Sequence, residues 1–356
     1  MQPGSRLALL TSGGDSPGMN AALRAAAKVG GALGFEVVGV EDGYVGLLDG
    51  RIRPVDVRAL DEAARRGGTV LGSARSKVFP TPEGQKRARE RLADHRIAGL
   101  VVIGGNGSLT GAHALRDADV AVVGVPASID NDLGCTSMAI GVDTAMNTIV
   151  EACDRICDTA SAHRRTFLVE VMGRDSGYLA MTSAIASGAD AVLVRETGKS
   201  DEAIVDQVVR AMQNAYRAGS AKRRVLVVKA EGVKVDTQKL KDAVDARIAA
   251  VLPDVDTRVT VLGHVVRGGA PTAFDRLLAA RLANAAVRAL ADGARDVMAG
   301  WTGPGMARPP CAHDPYVVLT PLEEVLRETE RLMTGASDVA AWRRKIFAEI
   351  EPILAD

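Results

Sequence analysis

The reading of the fold turns on LVVIGGNGS, residues 100–108. Leu100-Val101-Val102-Ile103 is a short, unbroken apolar run of the kind that is buried on both faces of a parallel sheet. Gly104, Gly105 and Gly107 follow at once, interrupted by the amide of Asn106 and closed by the hydroxyl of Ser108. Glycines at a strand end let backbone N–H groups face an anion, and ligands of open α/β sheets bind at the carboxyl ends of strands. The stretch therefore reads as a buried strand running into a phosphate cradle.

The same alternation extends to both sides of it. Apolar runs at Leu7 to Thr11, Val37 to Val40 and Val120 to Val125 accompany an alanine-rich helical stretch from Asn20 to Leu33. From Thr144 to Ala160 the residues Met146, Ile149, Val150, Cys153, Ile156 and Cys157 recur on one helical face. Further strands are predicted at Thr166 to Val171, Ala191 to Val194, Val225 to Val228 and Val259 to Leu262, so a second α/β unit begins near residue 142. The pattern predicts an α/β fold of two Rossmann-like domains with largely parallel sheets. Gly303 to Pro310 is read as a loop.

With 356 residues, 47% of them hydrophobic, the chain can bury two substantial cores. Basic and acidic side chains number 44 each, so there is no basic field for nucleic acid or for an anionic membrane. Aromatic residues, at 3%, leave few platforms for stacking bases. The apolar runs fall far short of the ~20 residues of a membrane span, and Leu7 to Leu10 is too short for a secretory signal. A cytoplasmic protein is expected. Cys135, Cys153, Cys157 and Cys311 lack C-x-x-C spacing. Cys153 and Cys157, one helical turn apart, read as a packed helix face rather than a metal or redox pair.

Three strand ends carry candidate chemistry. Thr11-Ser-Gly-Gly-Asp-Ser-Pro-Gly-Met-Asn20 sets glycines between a strand and a helix, which suits either a phosphate site or a tight turn, without being a Walker loop or a dinucleotide fingerprint. With Gly104 to Ser108 it forms a pair of such turns, and the pair suggests a polyphosphate. Pro126-Ala-Ser-Ile-Asp-Asn-Asp132 brings carboxylates to a third strand end, where Asp130 or Asp132 can take a proton from a hydroxyl or simply shape a loop. Arginines stand beside glycines at Arg75, Arg174 and Arg267, and beside predicted strands at Arg165 and Arg258; guanidinium forks suit phosphate. His264 reads as a core histidine in an apolar strand. Glu231, at a strand end, reads as a sugar-hydroxyl ligand or a charged strand terminus.

In order along the chain stand GGDSPGMN from Gly13, GSAR from Gly72, SIDND from Ser128, VMGR from Val171 and VLGHVVRGG from Val261. On these motifs the chain, from about Arg6 to about Asp292, resembles bacterial 6-phosphofructokinases, with little that matches from Ala299 onward. The resemblance implies two phosphofructokinase-like domains, one donor-binding (1–141 and about 266–318) and one binding the sugar phosphate (142–265 and about 319–356). It implies phosphoryl transfer from Mg2+-bound ATP to the 1-hydroxyl of fructose 6-phosphate in glycolysis. Asp130 would be the base, with Arg75, Arg174 and Ser128 beside it in the catalytic set. Gly14, Arg75, Ser76 and Gly105, Asn106, Gly107 and Ser108 would hold the donor, with Tyr44 flanking adenine. Ser128, Asp130, Asp132, Met172, Gly173, Arg174, Glu231 and His264 would hold the sugar. Arg267 would take its 6-phosphate, and Arg165 and Arg258 would reach in from a neighbouring subunit of a homotetramer.

The chain departs from that pattern in places. Asn106 stands where the family usually has an aspartate engaging the nucleotide's magnesium, and Asp132 is a second candidate for that ion; an amide lacks the charge a hard cation prefers. Donor choice in the family follows two positions that are Gly107 and Ala127 here, small residues that favour ATP over pyrophosphate. A weakly active regulatory paralogue is the alternative that Asn106 raises. The family's effector pocket draws on arginines that match Arg24, Lys28 and Cys157 here, which implies weakened or altered control by ADP and phosphoenolpyruvate.

Overall fold

Strands whose residues are apolar on both faces must be covered on both faces, and that requirement lays out the computed structural model, which describes residues 1–217, 219–302 and 309–354. Along the chain run β1 (Arg6–Ser12), α1 (Met19–Ala32), β2 (Glu36–Val40), α2 (Gly43–Asp49), β3 (Ile52–Pro54), α3 (Val57–Ala63), α4 (Pro82–Asp94), β4 (Ile97–Gly104), α5 (Asn106–His113) and β5 (Ala121–Pro126). Next come α6 (Val142–His163), β6 (Arg165–Val171), α7 (Tyr178–Ala186), β7 (Ala191–Leu193), α8 (Asp201–Tyr216), β8 (Val225–Ala230), α9 (Thr237–Ile248) and β9 (Asp256–Val261). The chain continues through α10 (Ala273–Ala291), β10 (Val297–Trp301), β11 (Val317–Pro321), α11 (Leu322–Met333) and α12 (Asp338–Leu354).

Two units result: Met1–Thr144 with Arg267–Arg331, and Ala145–Val266 with Leu332–Asp356. The first holds a seven-stranded sheet in the order β11-β10-β5-β4-β1-β2-β3. Its five inner strands are parallel, and β3 and β11 run antiparallel at the edges. From the β1–β4 pair the chain builds outward in both directions, so the strand order reverses there, and such a reversal opens a crevice at the carboxyl ends. Alanines let α1 and α10 lie close on one face of this sheet, where Ala22, Leu23, Ala26, Leu278, Leu282 and Ala286 meet Leu7, Leu9, Val101 and Val123.

The second unit carries the parallel sheet β7-β8-β6-β9. Glu170 on β6 stands in register with Lys229 on one side and Val261 on the other. Lys229 is only 2% exposed, and its Nζ lies 3.0 Å from Glu170 Oε2.

Residues 319–331 belong to the first unit, not to the second as expected from sequence. The reason is packing: β11 pairs with β10, Leu322 and Val325 are wholly buried, and the Gly134 amide donates to Thr329 Oγ1 at 2.8 Å. Neither β10 nor β11 was expected from the apolar pattern. Of the expected loop at Gly303 to Pro310, residues 303–308 lie outside the described residues. All four cysteines are free thiols; Cys153 is buried, which pushes its thiol pKa up to about 11. Among the described residues no helix is long and apolar enough to cross a membrane.

Candidate active site

β1 and β4 are hydrogen-bonded neighbours in register as far as Ser12 and Gly104, so the two glycine-rich turns leave the sheet side by side. Gly104 tolerates no side chain, since a Cβ there would lie 2.5 Å from the Ser12 carbonyl oxygen and closer still to Ser108 Oγ. After Gly104 the chain passes directly into α5, whose N-cap is Gly105. Gly105 brings no side chain to cap α5, and its carbonyl accepts from the Ser108 and Leu109 amides, both at 3.0 Å. A Cβ on Gly107 would meet nothing within 4 Å, so the space over this first turn is open and the protein itself does not require glycine there.

Asp130 sits in a loop fastened at both ends. The Ser128 amide donates to the Ile140 carbonyl at 3.1 Å, and Ser128 Oγ accepts from the Asp130 amide at 3.2 Å while donating to Asp132 Oδ1 at 3.4 Å. Asn131 takes a left-handed φ of 46°, and its side chain accepts from the Ala139 amide and donates to the Ser137 carbonyl, both at 3.2 Å. At the far end Asp275, fully buried, accepts from the Gly141 amide at 2.9 Å and from the Thr144 amide and hydroxyl at 2.7 and 2.6 Å. Burial pushes the Asp275 pKa upward against those donors. The loop presents Asp130 at 3% exposure, with Arg267 Nη2 3.7 Å from its Oδ1. Arg267, expected on the sugar's 6-phosphate, thus stands beside the candidate base; its Nη1 also donates to the Asp15 carbonyl of the first glycine-rich turn at 3.4 Å.

Hydroxyl groups bring the Arg75 loop to the same place. Thr11 Oγ1 donates to the Gly72 carbonyl at 2.9 Å and Ser73 Oγ to the Gly13 carbonyl at 2.5 Å, which leaves Arg75 exposed beside the first turn. Ser76 Oγ accepts from the Phe79 amide at 3.0 Å, so it shapes this loop. Tyr44, expected to flank adenine, packs inside the unit. Its ring is 5% exposed and stacked on Phe79 at 3.9 Å, and a Cβ on Gly111 would fall 2.6 Å from it. Its hydroxyl donates to the Ser108 carbonyl at 2.7 Å, and burial drives its pKa far up. Tyr44 is a strut beneath α5.

In the second unit Met172, Gly173 and Arg174 follow β6, Glu231 follows β8 and His264 follows β9, all at carboxyl strand ends. Glu231 Oε1 accepts from the amides of Gly173 at 3.1 Å and Arg174 at 2.6 Å. His264 is not a core histidine in a strand: β9 stops at Val261, and the ring is exposed on a short 3-10 helix, Gly263–Arg267. Arg165 and Arg258 lie at the opposite end. Arg165 opens β6, seven residues before Met172, and at about 3.3 Å per residue that is roughly 20 Å of strand. Arg165 Nε and Arg258 Nε share Asp256 Oδ2, at 3.2 and 2.8 Å. Within this unit, the two arginines cannot meet Met172 or Glu231.

The sequence pattern of the family described as Phosphofructokinase matches residues 6–290. The chain belongs to that family. Among relatives of this phosphofructokinase-family chain, the ATP-dependent 6-phosphofructokinase of Brevibacillus brevis is 45% identical over 295 residues, covering 83% of this chain and 89% of the relative. That of Streptococcus sanguinis is 46% identical over 308 residues, covering 86% and 88%. The Listeria monocytogenes enzyme of the same name is 42% identical over 336 residues, 94% of this chain and 98% of the relative. That span carries the likeness past Ala299, where the motifs had suggested it ended. Among solved structures, Pichia pastoris phosphofructokinase in the T-state superposes with a TM-score of 0.83 at 32% identity, over 96% of this chain and 38% of the yeast chain. This chain spans less than half of that longer protein. A pyrophosphate-dependent phosphofructokinase from Marinobacter aquaeolei, with a TM-score of 0.77 at 20% identity over 91% of this chain and 84% of that chain, shares the fold.

In this phosphofructokinase-family chain the donors available to magnesium are sparse. Among the described residues no three His, Cys, Asp or Glu side chains gather as a cage. Asn106 opens α5 after β4 and Asp132 lies in the loop after β5, so the two expected donors follow neighbouring strands. A cavity of about 430 Å³ in the first unit is lined by Arg24, Lys28, Asp61, Arg65 and Arg276. Asp61 Oδ1 pairs with both Arg24 Nε at 2.5 Å and Lys28 Nζ at 2.6 Å, and these two partners hold its carboxyl below the usual range.

Sequence reasoning missed Asp61, Asp256 and Asp275. Only Asp275 carried a local signal: Thr272-Ala-Phe-Asp275 has the spacing of a capping box, and Thr272 Oγ1 accepts from the Asp275 amide at 3.2 Å. Its carboxylate serves the Gly141 turn instead of the helix start.

Proposed function

We infer that the chain is an ATP-dependent 6-phosphofructokinase, moving the γ-phosphoryl group of ATP to the 1-hydroxyl of fructose 6-phosphate and releasing ADP. The observation that carries this reading is the buried Asp130 carboxylate at the end of β5, with the glycine-rich turns of β1 and β4 on the neighbouring strand ends. Relatives that bear this activity match most of the chain at above 40% identity.

Asp130 accepts the proton of the 1-hydroxyl as that oxygen bonds to the γ-phosphorus and the bond to the β,γ-bridging oxygen breaks. Ser128 fixes the Asp130 amide. The amides of the Gly13-Gly14 turn and of α5, with Arg75, receive the donor phosphates. Arg174 meets the transferred group, and Met172, Gly173, Glu231, Asp132 and His264 serve the sugar. Arg267, beside Asp130, turns toward phosphate when substrate enters. Asn106 and Asp132 would hold the Mg2+ that accompanies ATP, whose part is to neutralise charge on the phosphates. The small residues Gly107 and Ala127 favour ATP over pyrophosphate.

Arg165 opens β6 and Arg258 lies in the amino-terminal half of β9, away from the carboxyl ends that carry Met172 and Glu231, which supports their serving a neighbouring subunit's sugar phosphate in a homotetramer. Free thiols and a neutral charge balance suit the cytoplasm, where glycolysis runs. Because Asp61 already pairs with Arg24 and Lys28, control by ADP and phosphoenolpyruvate is weakened. Lys28 and Arg24 hold the Asp61 carboxyl below its usual range, so it stays ionised at neutral pH. A coupled assay of purified protein with magnesium and fructose 6-phosphate tests the reading. Bisphosphate formed from ATP and not from pyrophosphate is expected; saturable binding without product would refute it.

A further inference from the structure

We propose that Glu231 is a positioning residue for Arg174: one carboxylate oxygen holds the amides of Gly173 and Arg174 in a left-handed turn and so sets where the guanidinium points. The proposal rests on the phosphofructokinase reading above and goes beyond a role as sugar ligand. Gly173 has φ 147° and Arg174 φ 51°. A non-glycine residue in the left-handed region is strained and persists where its surroundings dictate it. Here the surroundings are specific. Glu231 Oε1 takes both amides at 3.1 and 2.6 Å, and charge-assisted bonds to a carboxylate are the stronger kind.

The loops after β6 and β8 are also interlocked by backbone. The Glu231 amide donates to the Val171 carbonyl at 2.9 Å, which anchors the carboxylate at the strand end. Gly232 lies so close to the Arg174 carbonyl that a Cβ there would overlap it. On the other side of the turn the Ser176 amide donates to the Gly173 carbonyl at 2.9 Å. Every bond in this set fixes the main chain around Arg174, and Glu231 supplies the side chain that reaches it. With Oε1 engaged twice, only Oε2 is left for a sugar hydroxyl.

Reach therefore matters more than charge at position 231, and three variants separate the two. Glutamine keeps the length and an accepting oxygen; aspartate keeps the charge and falls one methylene short; alanine removes both. The readouts are kcat and KM for fructose 6-phosphate, and hydrogen–deuterium exchange of a peptide spanning Met172 to Gly177 in the substrate-free protein. Glu231→Ala and Glu231→Asp are expected to lose about 100-fold in kcat, the scale of a 1 Å misplacement, with faster exchange in that peptide alone. Glu231→Gln is expected to stay within about tenfold of wild type with its protection kept. If alanine fails to fold, the order of glutamine over aspartate still decides. A rise in KM with kcat and exchange unchanged, or aspartate outperforming glutamine, overturns the proposal. Exchange is read without turnover, so an inactive wild type would defeat the functional reading while exchange still judged the clamp.

Discussion

At the ends of β1 and β4 the seven-stranded sheet offers backbone amides on glycine-rich turns, whereas at the ends of β6 and β8 the four-stranded sheet offers side chains, Arg174 set by Glu231. Backbone donors need little support beyond the absence of a Cβ, as Gly104 shows. Side-chain donors need props: Glu231 for Arg174, Asp256 for Arg165 and Arg258, and the buried Lys229–Glu170 pair within the sheet. Substitutions should therefore be costly in the first unit chiefly at Asp130, and in the second at several charged positions.

The sharpest break would come at Asp130. Asp130→Asn is expected to lower kcat about 10²- to 10⁴-fold, the usual yield of a positioned general base, with the fold retained by circular dichroism. Retained kcat would move the base elsewhere. Lys229→Ala tests the props of the second unit. Lys229 is buried while Glu170 is partly exposed and also accepts from Thr237 Oγ1, so a loss of about 1–3 kcal/mol in urea unfolding is expected, with Lys229→Met also measured to separate charge from volume. An unchanged midpoint would mean that Thr237 and solvent satisfy Glu170 without Lys229.

Smaller effects belong to the backbone-built side. Asn106→Asp should raise kcat at limiting magnesium by up to about tenfold, near 1.4 kcal/mol, because a carboxylate suits a hard cation better than an amide. No change would place the ion on other donors. Tyr44→Phe removes a single buried hydrogen bond to the Ser108 carbonyl and should cost about 1 kcal/mol of stability while leaving the KM for ATP as it was. A raised KM would restore Tyr44 to the adenine site.

Much of the backbone-built side was legible in the sequence. The apolar runs at Leu7 and Leu100 and the glycines after them are local signals, and the expected strands fall within a few residues of β1, β2, β4 and β5. The loop that carries Asp130 was legible for the same reason, as a contiguous stretch after a strand. What stayed hidden depends on partners distant in sequence. Arg267 reaches the Asp130 loop from 137 positions away, and Asp256 serves Arg165 across a strand pair. The packing of Tyr44 on Phe79 was hidden too, because an aromatic residue near a nucleotide motif looks the same in sequence whether its face is open or covered. His264 misled because the apolar letters around it continue past the end of β9 into the 3-10 helix.

The account stands most directly on the two ends of β6. Met172 and Arg174 follow one end, and Arg165 at the other end, with Arg258 on the neighbouring strand β9, is proposed to serve a neighbouring chain's site. Co-expressing an Asp130→Asn chain with an Arg258→Ala chain, under different affinity tags, and isolating the hybrids tests this. Turnover in the hybrids well above that of either parent is predicted, because an intact Asp130 then meets an intact Arg258 from the other chain. Hybrids as inactive as both parents would contradict it.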